Sequence, residues 1–517
     1  MNNGRICIAI CAATADALLE QLRRAEPLAD LIEVRFDCLA PEQLSPSMAA
    51  LRNANIPKPL IATYRSPEQG GNRNITRDDR LEFWRALDSL FEFADLERDV
   101  TKHVDLRPKT IASYHDFASV PANIDEIYRE LAASGAAVIK IAATADDICD
   151  AIPIWKLLER TRSDNRQAIP IAMGETGKWT RILGLAHGAF LTYASLDTGK
   201  ETAGGQLTAA DLLNVYRVKE LDGETRVYGV IGDPVSSSLS PFMHNAAFAN
   251  AGLNAVFLPL EVKDLDRFMQ RMVLPATREV ELNFAGFSVT MPHKLAIKKY
   301  LTSIDPVAEK IGAVNTVKIV GDTLTGYNTD ASGFIAPLKQ RIPDLKHARV
   351  AVLGAGGAAR AVIYALKQEG ADVTVFARDP DKAHDLADEF SVNVLKHSSP
   401  PYKGGVADAA SAADGVVLSQ ASEIFDIVIN TTPLGMRGPN EDQTPLSAND
   451  LTGVKFVYDL VTRRDETPLL REARKAGVDA IGGIEMLIAQ GVKQFEIWTS
   501  REAPTDLMRQ AVLDRLK

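Results

Sequence analysis

The chain has 517 residues, of which 46% are hydrophobic and 24% are charged, and its formal net charge is −10. This composition is typical of globular proteins and excludes a disordered or fibrous one. The acidic balance makes nucleic acid and membrane surfaces poor partners. At roughly 150 residues per domain, the length predicts about three domains. The sequence has no uncharged apolar stretch of about 18 residues, so no membrane-spanning helix is predicted.

The amino terminus and the cysteines both favour a cytoplasmic protein. Arg5 and the apolar run after it resemble a short secretory signal, but the run fits a first buried strand equally well, and we favour the strand. Four cysteines (Cys7, Cys11, Cys38 and Cys149) form neither a C-x-x-C motif nor a zinc-type spacing with histidine. We therefore expect buried free thiols in a reducing compartment and no metal site.

Short apolar runs alternate with amphipathic stretches along the first 206 residues. They predict eight strands, at 5–10, 31–36, 59–63, 93–97, 110–114, 137–141, 169–173 and 189–193. Strands that alternate with helices predict parallel βα units, and eight such units predict a closed (β/α)8 barrel. A helix predicted at 208–221 and a polar turn at 222–225 follow, so we assign the first domain to residues 1–222.

Two further α/β regions follow the turn. Strands predicted at 226–231, 255–260 and 284–289 and a hairpin at 314–327 indicate a substrate domain at 223–337, completed by helices of 482–517. From residue 348 the chain shows a strand, a glycine-rich turn and a helix at 358–368. Later strands are predicted at 372–376, 427–429, 456–458 and 480–481. This pattern predicts a doubly wound, Rossmann-type nucleotide-binding domain at 338–481.

Ionisable residues stand at the ends of the predicted barrel strands, where the reaction face of such a barrel lies. They are Glu33, Arg35, Asp37, Arg65, Asp95, Glu97, His115, Asp116, Lys140 and Arg181. Lys140 is the most informative, because it lies in an apolar strand, and a buried neutral amine can attack a ketone to form a Schiff base. His115 can serve as a general base, and Arg65 and Arg181 can bind a carboxylate. Each of these residues also has a purely structural alternative. Lys140 could be a strand-end lysine that reaches water, His115 a hydrogen-bonded histidine, and the two arginines surface residues.

Six short motifs stand in order along this region. They are Glu33-Val34-Arg35-Phe36-Asp37, Thr63-Tyr64-Arg65, Ser113-Tyr114-His115-Asp116, Ile139-Lys140-Ile141, Met173-Gly174-Glu175 and Thr202-Ala203-Gly204-Gly205-Gln206. Together they resemble the type I 3-dehydroquinate dehydratases. The resemblance implies that Lys140 forms an imine with the substrate ketone and that His115 is the acid and base. It also implies that the substrate hydroxyls and carboxylate are bound by Glu33, Arg35, Arg65, Arg181, Thr202 and Gln206.

The sequence departs from this family at two positions. The family usually has Glu-Gly-Gly after the arginine, and its glutamate pairs with the histidine. Here the run is Glu68-Gln69-Gly70-Gly71, so either Glu68 orients His115 from a shifted position or the histidine lacks that partner. Thr202 stands where the family more often has serine, and this change keeps the hydroxyl.

A glycine-rich turn indicates a dinucleotide site. Gly354-Ala355-Gly356-Gly357-Ala358-Ala359 matches G-x-G-x-x-A between a predicted strand and a predicted helix. Such glycines permit a tight turn and a close approach of pyrophosphate to a helix N-terminus, which favours a cofactor site over a purely structural turn. Arg378 at the end of the next strand can pair with a 2′-phosphate, so NADP is favoured, and Asp379 keeps NAD as the alternative.

Motifs in the last 292 residues carry a second resemblance. They are Gly232-Asp233-Pro234-Val235, Ser238-Leu239-Ser240-Pro241, Val289-Thr290-Met291-Pro292-His293-Lys294, Gly312-Ala313-Val314-Asn315-Thr316, Gly326-Tyr327-Asn328-Thr329-Asp330, Asn430-Thr431-Thr432-Pro433-Leu434-Gly435-Met436 and Gly483-Ile484-Glu485-Met486-Leu487, followed by Gln490. Residues 226–517 thus resemble the shikimate dehydrogenases.

This resemblance implies roles for individual residues. Ser238 and Ser240 would hold the substrate carboxylate, and the ring hydroxyls would be held by Thr290, Asn315, Asp330 and Gln490. Lys294 and Asp330 would form the catalytic pair, because a developing alkoxide needs a nearby cation. The cofactor would lie against the glycine-rich turn, Thr431 and Gly483. Thr462 departs from the family, which often has tyrosine after Asp-Leu-Val.

The two resemblances form one chemical sequence, because the product of the dehydratase is the substrate of the dehydrogenase. We interpret the chain as a bifunctional enzyme of the shikimate pathway that dehydrates 3-dehydroquinate and then reduces 3-dehydroshikimate with NADPH. One alternative is another Schiff-base lyase fused to a quinate/shikimate dehydrogenase. A second alternative makes one half a non-catalytic binding module. The expected partners are small molecules, and the sequence makes no prediction of oligomeric state.

Overall fold

The structure is a computed structural model that describes residues 2–87, 89–377, 380–396 and 425–517. Its described residues divide into two units. The first unit contains residues 1–241 and 252–284, and the second contains residues 242–251 and 285–517.

The first unit begins with a parallel barrel whose eight predicted strands are all confirmed, with ends that differ by at most three residues. Its strands are β1 (Ile6–Ile10), β2 (Leu31–Arg35), β3 (Leu60–Thr63), β4 (Phe93–Glu97), β5 (Lys109–Asp116), β6 (Val138–Thr144), β7 (Gln167–Met173) and β8 (Thr192–Ser195), followed by a short β9 (Leu207–Thr208). Neighbours pair in the order β7-β6-β5-β4-β3-β2-β1-β8-β9. The Phe190 N–H, just before β8, donates to the Ala168 carbonyl of β7 at 2.8 Å. Apolar side chains from all eight strands, Cys7, Ile61 and Ile111 among them, form one internal cluster, so the barrel is filled.

Helices cover the outside of the barrel. They are α1 (Ala15–Ala25), α2 (Leu44–Asn53), α3 (Arg77–Arg85), α4 (Arg98–Thr101), α5 (Ile124–Ala132), α6 (Ile152–Ser163) and α7 (Lys178–Leu183). The helix predicted at 208–221 is only partly correct, because β9 takes its first residue and a short π-helix covers only Asp211–Val215. The backbone turns at Arg217, whose φ of 50° is left-handed. The Arg217 guanidinium donates to the Ala255 carbonyl at 3.1 Å, so a tertiary contact overrides the local helical pattern.

The prediction of four free thiols is wrong for Cys11 and Cys38, which form a disulfide. The two residues are 27 positions apart, but they follow the adjacent parallel strands β1 and β2, which bring their Cα atoms to 5.3 Å. Sequence spacing does not reveal this proximity, since it arises only when the strands pair. Cys7 and Cys149 are free and buried, as expected, and burial raises the pKa of Cys149 to about 12.

The rest of the first unit packs on the barrel. Strands β10 (Arg226–Gly232) and β11 (Ala255–Glu261) pair in parallel, and α9 (Leu265–Phe268) follows. Helix α8 (Ser240–Asn250) comes between the two strands in the chain, but it belongs to the second unit from residue 242 onward. Ion pairs tie the segment after β11 to the barrel: Arg267 contacts Asp150 at 2.8 Å, and Glu279 contacts Lys156 at 2.6 Å.

The second unit contains a small mixed sheet with the predicted hairpin. Its elements are β12 (Phe284–Val289), β13 (Ser303–Ile304), α10 (Pro306–Ile311), β14 (Thr316–Val320), β15 (Thr323–Tyr327) and α11 (Asp330–Arg341). Strand β14 pairs antiparallel with β12 and β15, and β13 pairs parallel with β15. Gly321 forms the hairpin turn with a φ of 57°, which glycine adopts at no steric cost.

A six-stranded parallel sheet confirms the predicted doubly wound fold. Its strands are β16 (Arg349–Leu353), β17 (Asp372–Ala377), β18 (Asn393–Lys396), β19 (Ile427–Asn430), β20 (Phe456–Asp459) and β21 (Asp479–Gly482), and the helices are α12 (Gly357–Gln368), α13 (Pro380–Phe390), α14 (Pro468–Lys475), α15 (Ile484–Thr499) and α16 (Thr505–Leu516). The order β18-β17-β16-β19-β20-β21 is that of dinucleotide-binding domains, and ligands bind where the order reverses, beside β16.

Helix α15 packs on the mixed sheet. Trp498 of α15 donates to the Val317 carbonyl of β14 at 2.9 Å, and Lys318 donates to the Ile497 carbonyl at 2.6 Å. Among the described residues, no helix combines the length and the apolar character needed to cross a bilayer.

Candidate active sites

A cavity opens at the carboxyl ends of the barrel strands. Every predicted site residue of the barrel lines it: Glu33, Arg35, Arg65, His115, Lys140, Arg181, Thr202 and Gln206. The remaining lining residues are Gln69, Gly70, Phe117, Ala142, Ile171, Met173, Tyr193 and Ala203. Residues separated by up to 173 positions thus meet in one cup, because parallel strands bring their carboxyl ends to the same face.

Lys140 lies at the centre of a charged cluster in this cup. Its side chain projects from β6 and is buried, with 5% of the residue exposed. The Nζ atom lies 2.8 Å from Asp95 Oδ2 and 3.8 Å from Glu33 Oε1, and it stands 4.2 Å above the Tyr193 ring. The neighbours of Lys140 along β6 are apolar, as the sequence shows, but closure of the barrel brings acidic side chains from β2 and β4 to its amine.

Asp95 is shared between two buried cations. Its Oδ2 atom lies 2.9 Å from Arg65 Nη2 as well as 2.8 Å from Lys140 Nζ. Burial alone would raise the pKa of Asp95, but the charges of Arg65 and Lys140 hold it well below its usual value. The Asp95 Oδ1 atom is buried without a hydrogen-bond partner. Asp95 is consequently paired with Arg65 independently of its contact with Lys140.

His115 has the electrostatic environment of a neutral base. Burial first, and then the charges of Arg65 and Lys140, lower the pKa of His115 well below its usual value of 6.5. Its Nδ1 atom is buried without a hydrogen-bond partner. Gln69 contacts the backbone of His115 rather than its ring, while Glu68 is exposed and does not line the cavity. Neither residue supplies a carboxylate to the ring.

Arg181 is the cation of the cup that is best suited to an anionic ligand. Within the described ranges its side chain forms no ion pair, and the one hydrogen bond of that side chain joins Nη2 to the Gly204 carbonyl at 3.2 Å. Burial lowers the pKa of Arg181 to about 10, and its Nε atom has no partner. Arg35, in contrast, is engaged by both carboxylate oxygens of Asp37, at 2.9 and 2.8 Å. An incoming carboxylate would therefore find more available hydrogen-bond donors on the Arg181 guanidinium than on that of Arg35.

The second unit contains a lysine–aspartate pair. Lys294 Nζ lies 2.6 Å from Asp330 Oδ2, and Asn315 Nδ2 donates to Asp330 Oδ1 at 2.7 Å. Asn315 is fixed in turn by the Thr329 N–H, which donates to its Oδ1 at 2.7 Å. Gln490 on α15 lies beside this network, with Oε1 3.5 Å from the Thr329 hydroxyl. The predicted members Lys294, Asn315, Asp330 and Gln490 thus belong to one network.

The glycine-rich turn fits a dinucleotide. Gly354 has a φ of 109°, and an added Cβ there would lie 2.6 Å from Thr431 Oγ1. A Cβ at Gly356 would meet no atom within 4 Å, so an open cradle faces the N-terminus of α12, where pyrophosphate binds well. A Cβ at Gly357 would lie 3.3 Å from Lys294 Cδ, so the turn adjoins the lysine–aspartate pair. Gly483 begins α15 against the Leu460 backbone.

The structure gives fewer contacts for the other predicted residues. Ser238 and Ser240 lie at the start of α8, where Ser238 Oγ accepts the Ser240 N–H at 3.3 Å. They belong to the first unit, whereas Thr290, whose carbonyl accepts the His293 N–H at 2.9 Å, belongs to the second. Ala355 and Ala358 belong to the turn and to the first turn of α12. Arg378 and Asp379 lie outside the described residues.

Sequence reasoning missed the roles of Asp95, Tyr193 and Gln69. Asp95 was among the ionisable residues at strand ends. Asp95 and Glu97 are two positions apart in β4, and alternate residues of a strand face the same side, which is the signal that both face the barrel interior. Tyr193 ends the last predicted strand, where any side chain facing inward reaches the cup. The sequence marked Gln69 as the residue at the family's usual glutamate position, but it did not reveal the contact with the His115 backbone, which depends on how a turn folds back against β5.

The fold and the two sites define a class: a Schiff-base type lyase barrel joined to a dinucleotide-dependent oxidoreductase. Family models agree. Residues 6–222 match "Type I 3-dehydroquinase", 230–317 match "Shikimate dehydrogenase substrate binding domain", 337–429 match "Shikimate / quinate 5-dehydrogenase" and 483–513 match "Shikimate 5'-dehydrogenase C-terminal domain".

Individual proteins extend this match over the chain. A chloroplastic bifunctional 3-dehydroquinate dehydratase/shikimate dehydrogenase of Arabidopsis thaliana is 33% identical over 98% of this chain and 84% of its own length. An NADP(+) shikimate dehydrogenase of Methanopyrus kandleri is 41% identical over 57% of this chain and 98% of its own. The solved dehydroquinate dehydratase and shikimate dehydrogenase of S. pombe is 25% identical and covers 98% of both chains, with a TM-score of 0.42. The chain belongs to the bifunctional 3-dehydroquinate dehydratase/shikimate dehydrogenases, enzymes of the shikimate pathway that combine a lyase with an NADP-dependent oxidoreductase.

Proposed function

We propose that Lys140 is the nucleophile and His115 the acid and base in dehydration of 3-dehydroquinate. The observation that carries the proposal is the convergence of Lys140, His115 and the unpaired Arg181 on one cavity. Lys140 Nζ attacks the substrate ketone and forms an imine with loss of water, while Asp95 remains paired with Arg65. Arg181 binds the substrate carboxylate, and Glu33, Arg35, Arg65, Thr202 and Gln206 contact the remaining oxygens.

The imine makes the neighbouring C–H bond acidic, since electrons from that bond can pass into the C=N bond. His115 takes this proton as a neutral base and then returns a proton to the departing hydroxyl, which leaves as water. Hydrolysis of the imine frees 3-dehydroshikimate and restores the Lys140 amine. Every proton taken from the substrate is thereby returned to a leaving group or to water.

For the second reaction, we propose Lys294 as the proton donor and Asp330 as its partner. When bound, NADPH supplies a hydride to the ketone carbon of 3-dehydroshikimate. Lys294 gives a proton to the ketone oxygen, and Asp330 holds the lysine in place through their 2.6 Å contact. Ser238 and Ser240 would bind the substrate carboxylate, and Thr290, Asn315, Asp330 and Gln490 its hydroxyls. The cofactor would be held by Gly354, Ala355, Gly356, Gly357, Ala358, Arg378, Thr431 and Gly483.

We propose the same three domains at 1–222, at 223–337 with 482–517, and at 338–481. The family-model boundaries at 6–222, 230–317 and 483–513 support this division.

We also propose small molecules as the only ligands, with no nucleic acid or membrane, and a cytoplasmic location. The net charge of −10 supports the first of these. Cell fractionation with an antibody against the chain tests the location.

Borohydride reduction in the presence of 3-dehydroquinate tests the barrel chemistry directly. We expect a stable adduct on the peptide that contains Lys140, loss of dehydration, and unchanged NADP-linked oxidation of shikimate by the same sample. The variant His115→Asn should still be labelled, because it removes the base and leaves the amine. A label on another lysine, or none, would overturn the assignment.

A further inference from the structure

The turn that follows β3 is attached to three strands of the barrel. Its Ser66 N–H donates to Oε1 of Glu97, the last residue of β4, at 2.8 Å, and its Gly70 carbonyl accepts from Arg35 Nη2 of β2 at 3.0 Å. The turn closes on itself through the Gly71 N–H, which donates to the Ser66 carbonyl at 2.7 Å. Gly70 has a φ of 85°, a conformation that glycine adopts without strain. The backbone of Gln69 is therefore held firmly above the cup.

The third attachment is the Gln69 side chain, which holds the end of β5. Gln69 Oε1 accepts the His115 N–H at 2.7 Å, and Gln69 Nε2 donates to the His115 carbonyl at 3.2 Å. A carboxamide has the same donor and acceptor as a peptide group, so both backbone groups of His115 are satisfied by one side chain.

This contact stands where the sheet itself has no strand. The pairing of β4 with β5 ends at Glu97 and Ser113, while the pairing of β5 with β6 continues through His115 and Ala142. His115 consequently has a strand on one side only, and its N–H and carbonyl point to the side where β4 has ended. Without Gln69 these two groups would lack protein partners, and the end of β5 would be free to move.

The position of the His115 ring depends on this backbone anchor. The ring gains no fixed orientation from Nδ1, which is buried without a hydrogen-bond partner. The charged groups around it are Arg35, Arg65, Asp95 and Lys140, from strands β2 to β6, and Phe117 lies parallel to it at a centroid distance of 6.4 Å. A base must reach within hydrogen-bond distance of the proton that it takes, so movement of the β5 end would misplace it.

We propose that Gln69 is a positioning residue of the dehydratase, whose carboxamide replaces the missing peptide group of β4 and fixes His115 over the Lys140 imine. The inference rests on the proposed function of Lys140 and His115. Gln69 itself need not touch the substrate, because it acts through the His115 backbone. Its effect should fall on proton removal and not on imine formation.

Kinetics of the full chain with Gln69→Met test the inference, because methionine matches glutamine in length and cannot form either hydrogen bond. We expect kcat for dehydration to fall about 10- to 100-fold, as for small misplacements of a reacting group, with KM within about threefold. The isotope effect for the C–H bond that His115 breaks should rise, and borohydride should still label Lys140. Gln69→Glu keeps an acceptor for the His115 N–H and should recover at least part of kcat. The matched control is Glu68→Gln, an exposed neighbour, which should behave as wild type.

Two results would overturn the inference: a kcat for Gln69→Met within twofold of wild type, or a parallel loss of kcat, Lys140 labelling and thermal stability. The second result would show a merely structural role. If Gln69→Met does not fold, the same measurements on Gln69→Glu distinguish the positioning role from the structural one. Failure of the wild-type chain to label Lys140 would instead overturn the proposed function.

Discussion

Each half of the chain contains a lysine paired with an aspartate, and the two pairs differ in what else the aspartate contacts. Asp95 lies 2.8 Å from Lys140 and 2.9 Å from Arg65, so it has two cations. Asp330 lies 2.6 Å from Lys294, and its other oxygen accepts from the neutral amide of Asn315 at 2.7 Å.

This difference matches the two reactions. A nucleophilic lysine must lose its proton, and Asp95 keeps an arginine as counter-ion when that happens. A proton-donating lysine must instead hold its proton until the substrate oxygen needs it, and Lys294 is the only cation that pairs with Asp330 among the residues that the structure describes. A lysine–aspartate contact alone therefore does not identify a role, since the third partner decides it.

The largest expected effect separates the two lysines. Lys140→Ala should reduce dehydration at least about 1,000-fold, because the nucleophile is lost, and leave shikimate oxidation unchanged. Lys294→Ala should reduce shikimate oxidation about 100- to 10,000-fold and leave dehydration unchanged. Both rates are measured on the same preparation, so each half is the control for the other. A variant that keeps both wild-type rates would break the comparison.

The next effect concerns the two aspartates. Asp95→Asn leaves two buried cations without their carboxylate, so we expect the free energy of unfolding of the barrel to fall by about 3–5 kcal/mol. Asp330→Asn should cost less, about 1–3 kcal/mol, because it leaves one cation without its carboxylate and the Lys294 side chain keeps 16% exposure. Urea titration, followed by the residual activity of each half, measures both, and the exposed Asp344→Asn is the control. Equal losses at the two sites would show that sharing by Arg65 is unimportant.

The smallest effect is the pH dependence of the barrel. Since the pKa of His115 is lower in the folded chain than its usual value of 6.5, the native state binds fewer protons than the unfolded chain below that pH. Stability from this group is thus complete above about pH 6.5 and is lost as the pH falls below it. Because the lowered pKa keeps the imidazole neutral, kcat/KM for dehydration should hold its value to below pH 6.5. A profile of kcat/KM between pH 4.5 and 8 checks this, and half-maximal activity at or above pH 6.5 would contradict it.

Much of the fold followed from local patterns along the chain. The eight barrel strands and the turn from Gly354 to Gly357 were predicted because apolar runs and glycine positions depend on near neighbours in sequence. The same holds for the candidate residues Lys140 and Lys294, which stand in short motifs. The helix predicted at 208–221 failed where Arg217 contacts a residue 38 positions away.

The sequence by itself determined the order of elements, the two families and most of the candidate residues of the two sites. Only the tertiary structure decided that Lys140 lies between two carboxylates, that Cys11 bonds to Cys38, and that Gln69 supports His115. The physical reason is shared: these contacts join the ends of different parallel strands, 27 to 107 positions apart, and arise only when the barrel closes.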